Sequence, residues 1–171
     1  MVIRKCGECR QPFPVPHEYP EQTICFSCYH WHKASSWLEK TIDTQRCYHP
    51  AVVAVVEGEW AMARADFQHS IFLKERPLDR AHLPIRLVRL EMRIMVANID
   101  VVCAKLGKSA RGTVLFEQYE REIMRAFGEG ASAGWKAACA GRKKIFDALR
   151  SARDEKRLCD AGRNQSLVAG A

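Results

Sequence analysis

Four cysteines near the start of the chain have the spacing of a metal site. Cys6, Cys9, Cys25 and Cys28 form two Cys-x-x-Cys pairs separated by fifteen residues. Each pair can form a tight turn that directs two sulfurs at one point, and two pairs complete the four-sulfur shell of a structural Zn²⁺. A redox role and unrelated buried thiols are the alternatives. A thioredoxin-like redox motif would need a strand-helix-strand pattern beside one pair, and the sequence shows none.

The residues around the two pairs predict the elements that position them. The interval between the pairs contains four prolines, which lack backbone donors, so it predicts an irregular or polyproline-like loop; they are Pro12, Pro14, Pro16 and Pro20. After the second pair, apolar residues at spacings of three and four predict a helix with Cys28 in its first turn; they are Trp31, Ala34, Leu38 and Ile42. Residues 1 to about 45 therefore resemble a treble-clef or zinc-ribbon finger at the level of the fold class.

Three histidines and a cysteine follow the second cysteine pair and raise the question of a second metal site. His30, His32, Cys47 and His49 are the candidates. Four cysteines already saturate one zinc ion, and helical spacing does not bring Cys47 and His49 near the other two histidines, so we expect surface or supporting roles. His17 or His49 could instead replace one cysteine, as in mixed Cys/His sites.

The rest of the sequence predicts a helical bundle. Helices are predicted over 51–76, 85–106, 113–127 and about 135–159, with Thr113 capping the third of these. The 85–106 segment is apolar on almost every side, which is typical of a buried central helix. The predicted fold is mainly α, with a four-cysteine zinc-finger module at 1–49, a helical bundle at 50–160 and a flexible tail at 161–171.

Positive charge is concentrated at the C-terminal end. The chain carries 27 Lys and Arg against 20 Asp and Glu, and residues 132–171 alone carry 9 against 4. Such a segment suits an anionic partner, most often nucleic acid. Its predicted helix presents a basic row that could follow phosphates without reading bases, or could be an ordinary solvated face; the row is Lys136, Lys143, Arg150, Arg153 and Arg157.

A second group of arginines lies on the predicted central helix. Arg86, Arg89 and Arg93 fall in one seam between its two apolar faces. Charges near a core are normally paired, and the candidates on the next helix are Glu117, Glu120 and Glu122. Alternatively, the guanidinium groups hold phosphates, for which their planar fork is well suited.

Several function classes lack sequence support. No apolar run approaches the roughly 18 residues of a membrane span, and no apolar segment precedes Cys6 as in a signal peptide. We therefore expect a cytoplasmic protein whose eight cysteines are ligands and buried thiols rather than disulfides. Gly107-Lys-Ser lacks the rest of a phosphate loop, and no other enzyme motif is present. We expect neither an enzyme nor a small-molecule substrate.

These features together predict a zinc-finger protein that binds DNA or RNA, as a subunit of a larger nucleoprotein complex with partner proteins. Through its two N-terminal cysteine pairs, basic charge and helices, the chain resembles the zinc-finger-bearing large subunit of type IV CRISPR effector complexes. That resemblance implies a subunit that helps to grip target DNA beside a guide-RNA filament. The alternative is a protein-binding inhibitor or adaptor, encoded by a mobile element and acting on a nucleic-acid-processing machine.

Overall fold

The computed structural model describes residues 1–46 and 49–169, with side chains to residue 165. This part of the chain begins with two strands, β1 (Val2–Lys5) and β2 (Pro12–Val15). Five helices follow: α1 (Phe26–Gln45), α2 (Pro50–Phe72), α3 (His82–Lys105), α4 (Gly112–Glu129) and α5 (Ala131–Ala169). The predicted architecture, mainly α with a small N-terminal cysteine module, is confirmed. None of the described helices is long and apolar enough to cross a membrane.

The prediction of an irregular loop after the first cysteine pair is wrong at its start, because Pro12 and Pro14 lie in β2. This strand pairs with β1 in an antiparallel hairpin, with Arg4 opposite Phe13. Pro12 and Pro14 are two residues apart, so the backbone nitrogens of both, which carry no hydrogen, can point away from β1. The backbone N–H groups of Phe13 and Val15 then point toward β1. The same alternation buries Phe13 and Val15 and leaves both prolines exposed.

Helix α3 is the central helix, as predicted, and packs against each of the other four helices. It has buried residues on several faces, among them Leu87, Val88, Ile94 and Met95. Side-chain pairs between neighbouring helices show that successive helices run in opposite directions, which makes α1, α3 and α5 parallel; examples are Arg86 with Asp66, Arg93 with Glu59, and Thr41 with Glu91.

Two predicted features of the later helices are corrected. Thr113 does not cap α4; instead Asp100 of α3 accepts hydrogen bonds from the Gly112 backbone N–H at 2.6 Å and from the Thr113 hydroxyl at 3.2 Å. Helix α5 begins at Ala131 and extends to Ala169, about ten residues past its predicted end. The predicted tail at 161–171 is therefore helical as far as Ala169, and its flexibility stays a prediction.

The finger and the bundle share one hydrophobic core. Helix α1 belongs to both, because its first turn carries the second cysteine pair and its buried face packs on α2 and α3. The Trp31 ring stacks on the Phe67 ring of α2 with centroids 4.2 Å apart, and the Ser27 hydroxyl donates to the Pro77 carbonyl. A boundary near residue 49 as a limit of independent folding stays a prediction.

Candidate metal centre

The hairpin and the start of α1 bring the four cysteines together. Cys6 and Cys9 lie in the turn between β1 and β2, while Cys25 is the N-cap of α1 and Cys28 lies in its first turn. The turn is closed by the Cys6 N–H donating to the Gln11 carbonyl at 2.9 Å. Arg10, which adopts a left-handed conformation with φ of 61°, lets the chain reverse within this short span.

The positions of the four sulfurs fit a tetrahedral zinc site. All four Sγ atoms lie within 4.8 Å of one another, and those of Cys9 and Cys25 are 3.8 Å apart. Zn–S bonds of about 2.3 Å in a regular tetrahedron place the sulfurs about 3.8 Å apart, whereas a disulfide requires about 2.05 Å. Each cysteine is at most 3% exposed. These residues would hold one Zn²⁺ in a closed, structural site.

The cysteine environment already favours thiolate at one position. A hydrogen bond from the Cys28 thiol lowers the pKa of Cys25 to about 4. The same interaction, together with burial, raises the pKa of Cys28. The Cys25 backbone N–H, at the positive end of α1, donates to Cys6 Sγ at 3.3 Å. Because zinc binds cysteine as the thiolate, the lowered pKa of Cys25 would favour metal binding at this position.

Arg80, in the connection between α2 and α3, is a residue of this site that sequence reasoning missed. Its side chain is fully buried, and one terminal nitrogen, Nη2, lies 3.7 Å from Cys25 Sγ and 3.7 Å from Cys28 Sγ. Four thiolates and one Zn²⁺ carry a net charge of about −2, which a buried guanidinium partly neutralises. Arg80 follows Cys28 by 52 residues and belongs to no local motif, so only the tertiary structure identifies it.

The two helical histidines considered for a second metal site, His30 and His32, contact other side chains. The His30 ring is packed against the Trp135 ring with centroids 4.0 Å apart, and burial lowers its pKa to about 4. His32 Nε2 lies 2.6 Å from Glu8 Oε2, which links α1 to the turn of the hairpin. In the described part of the chain, the four cysteines are the only cluster of at least three potential metal ligands.

The remaining alternative ligands also lie elsewhere or outside the described residues. His17 is exposed in the connection after β2, and His49, the N-cap of α2, lies in a groove between α1 and α5. Neither replaces a cysteine in the sulfur cluster. Cys47 falls outside the residues that the structure describes.

The arginine seam of α3 is paired with carboxylates. Arg89 donates to Glu120 of α4, one of the predicted partners. Arg86 and Arg93 instead pair with α2, through Asp66 at 2.6 Å and through Glu59. These three ion pairs join the central helix to two neighbours, which is the structural role considered for the seam. Phosphate binding by the same arginines stays a prediction.

The basic row of α5 lies on its exposed face, opposite the residues that dock the helix. Four of its members are exposed and recur every seven residues: Lys136, Lys143, Arg150 and Arg157. The opposite side is buried through Ile145, Leu149 and Ala152. Arg153 is half-buried, and its Nη2 lies 3.4 Å from Gln45 Oε1 of α1. The rise of about 1.5 Å per residue makes the exposed row about 32 Å long.

A buried ion pair joins the three parallel helices and was not expected from the sequence. Glu91 of α3 is 2% exposed and accepts two hydrogen bonds from Arg142 of α5, at 2.6 and 3.0 Å. The Thr41 hydroxyl of α1 donates to the same carboxylate at 2.9 Å. Arg142 also lies over the Trp37 ring, with its guanidinium carbon 4.0 Å from the ring centroid. A charged residue within an apolar helical pattern is the only sequence signal here, and it does not name the partner.

The comparisons with known proteins found no match. No protein-family model, curated protein or solved structure matches the chain. The resemblance to the large subunit of type IV CRISPR effector complexes therefore receives no support from them. What the structure supports is a zinc-finger module with four clustered cysteines, built onto a helical bundle.

Proposed function

We propose that the protein is a zinc-containing nucleic-acid-binding protein that contacts phosphates through the exposed face of α5, within a larger nucleoprotein assembly. The observation that carries this proposal is the exposed row of four cations on one helix. Helix α5 is held against α3 and α4 by its opposite side, so the row is fixed in space. A fixed row is suited to contacts along a nucleic-acid backbone that position the protein without reading sequence.

The local pairing of these cations is weak enough for phosphate to compete. Arg150 and Arg157 each contact an aspartate three residues earlier on α5, at 3.4 and 3.6 Å, and both arginines are strongly exposed. Exposed pairs of this kind contribute roughly 0–1 kcal/mol. Lys136 and Lys143 have no ion pair with a described residue. Neighbouring cations of the row are about 10 Å apart along the helix, so several phosphates could be contacted at once.

The test is the salt dependence of binding to fluorescent 20-nucleotide single strands of DNA and RNA and to a DNA duplex. We expect affinity to fall steeply with salt because bound phosphates release counterions. Replacing Lys143, Arg150 and Arg157 with Ala should reduce the slope of log K against log salt by roughly 2–3, since each lost contact contributes about 0.7–0.9.

A matched control removes three exposed cations that lie off α5: Lys5, Arg121 and Arg125. This variant has the same net charge as the first, so it should keep a slope close to that of the unchanged protein. Equal losses in both variants would mean that only net charge attracts the polyanion, and the proposal would fail. Absence of binding to all three probes at 50 mM salt would also refute it.

A further inference from the structure

A groove separates α1 from α5. The described parts of these two helices make no direct backbone contact, and α3 lies between them as a floor. Toward their N-terminal ends the gap is bridged by side chains, with the Trp37 and Trp135 rings stacked and Arg142 over Trp37. At the C-terminal end of α1 a further side-chain contact crosses the gap, with Arg153 Nη2 of α5 3.4 Å from Gln45 Oε1. Along α3 the groove extends from Glu91 to Lys105, a length of about 20 Å.

Apolar side chains of α3 and α5 line part of the floor and part of one wall of the groove. Met95 and Leu149 form the buried part, Val101 and Val102 are partly exposed, and Phe146 is 50% exposed. The Asn98 amide of the floor donates to Gln45 Oε1 of α1, so these two polar groups are partnered within the protein. The apolar side chains of the groove offer surface that a binding partner could bury.

The rim of the groove is positively charged on all three helices. Its cations are Lys40 of α1, Lys105 of α3, and Arg153, Lys156 and Arg157 of α5. Glu91 is the only carboxylate among the described lining residues, and Arg142 and Thr41 already occupy it. Lys156 and Arg157 contact Asp160 and Asp154 of their own helix, which lie outside the groove. The electrostatic potential inside the groove is therefore positive and is set by the cations of its rim.

We propose that this groove binds an amphipathic, acidic α-helix of a partner protein. A groove about 20 Å long accommodates a helix of roughly 14 residues. Its apolar side chains suit leucine-like anchors at spacings of three and four, and its rim suits Asp and Glu on both sides of that stripe. A nucleic acid is a poorer fit, since successive bases stack on successive aromatic rings, and with the Trp37 ring covered Phe146 is the one exposed phenyl or indole ring among the described lining residues.

The test uses a labelled 18-residue helical peptide with a leucine stripe flanked by glutamates, and a second peptide with lysines in place of the glutamates. We expect the acidic peptide to bind at least tenfold more tightly than the basic one. In NMR spectra of the zinc-loaded protein it should shift the methyl signals of Met95, Val101 and Val102. Equal binding of both peptides, or shifts confined to other regions, would overturn the proposal.

Substitutions in the groove provide a second measurement with matched controls. Phe146→Glu should weaken binding of the acidic peptide at least tenfold, and the Lys40→Glu, Lys105→Glu double variant should do the same. Phe72→Glu, which changes a phenylalanine that is 79% exposed at the end of α2, should alter it less than twofold. Zinc content and circular dichroism confirm that each variant is folded. Unchanged binding in the two groove variants would overturn the proposal.

The proposal is independent of phosphate binding by α5, and the experiments separate the two. Arg157 belongs both to the basic row and to the rim of the groove, so the separating variant replaces only Lys143 and Arg150 with Ala and leaves Arg157, Phe146, Lys40 and Lys105 intact. We expect this two-residue variant to lose nucleic-acid affinity and keep peptide affinity within threefold. If a single-stranded oligonucleotide instead bound with dependence on Phe146 and the acidic peptide did not bind, the groove would be a nucleic-acid site and the helix proposal would be wrong.

Discussion

Replacing Arg80 with Met should weaken zinc binding while preserving the fold. Methionine matches the arginine side chain as far as Nε and carries no charge, so it fills part of the same buried space beside Phe67. The hydrogen bond from the Cys28 thiol lowers the pKa of Cys25, which favours one thiolate near the guanidinium before zinc binds. Four thiolates with Zn²⁺ carry a net charge of about −2, which is one negative charge more than the cluster carries with a single thiolate. Zinc affinity thus measures the interaction of Arg80 with one additional charge.

The magnitude follows from the geometry. The guanidinium nitrogen is 3.7 Å from two of the sulfurs, and the mean distance to the whole charge is on the order of 5 Å. With an effective dielectric constant of about 20, one charge at that distance contributes about 3 kcal/mol, or roughly a 150-fold change in zinc affinity. The desolvation of Arg80 does not enter this difference, because its side chain is buried by the surrounding protein.

Zinc affinity is measured by competition with a chromophoric chelator, and the unfolding free energies of the metal-free and zinc-loaded forms are measured in parallel. Arg80→Lys should recover part of the affinity, since it restores the charge without the planar fork. Arg76→Met, at a strongly exposed arginine in the same connection, is the matched control and should change affinity less than twofold. Equal losses of stability with and without zinc in Arg80→Met would mean that the arginine acts by packing alone.

Three further outcomes are expected. Removing zinc with a chelator should lower the thermal stability of the whole protein, measured by calorimetry, because α1 belongs to both the finger and the bundle. Gly112→Ala should cost roughly 1–3 kcal/mol in denaturant unfolding, since a Cβ there would lie 2.2 Å from the Val96 carbonyl oxygen. Glu91→Gln should cost roughly 2–3 kcal/mol, somewhat below the usual value for a buried pair because Arg142 retains some exposure.

The two substitutions each have a control within the chain. Gly58→Ala, in an open position of α2, should stabilise the protein by roughly 0.5–1 kcal/mol, the opposite sign to Gly112→Ala. Glu39→Gln, at an exposed position of α1, should be within about 0.5 kcal/mol of neutral. The packing arguments would be contradicted if chelation left the unfolding temperature of the bundle unchanged or if Gly112→Ala left the unfolding free energy unchanged. The same holds if Glu91→Gln changed the unfolding free energy no more than Glu39→Gln.

The sequence was sufficient for the features that depend on local spacing. Two Cys-x-x-Cys pairs predicted the sulfur cluster, and apolar residues at spacings of three and four predicted α1 and the central position of α3. The two main local errors, at β2 and at the start of α4, have a common cause. In both places the backbone groups depend on a partner outside the segment itself, which is β1 for Pro12–Val15 and Asp100 for Gly112.

Only the tertiary structure decided which charges meet. The sequence by itself determined that Arg86, Arg89 and Arg93 needed anionic partners, yet two of the three found theirs on α2 instead of α4. The positions of Arg80 beside the thiols and of Glu91 beside Arg142 were likewise decided by the tertiary structure. Long charged side chains pair with whatever the packing of helices brings within a few ångströms, and that packing is set by contacts spread over the whole core.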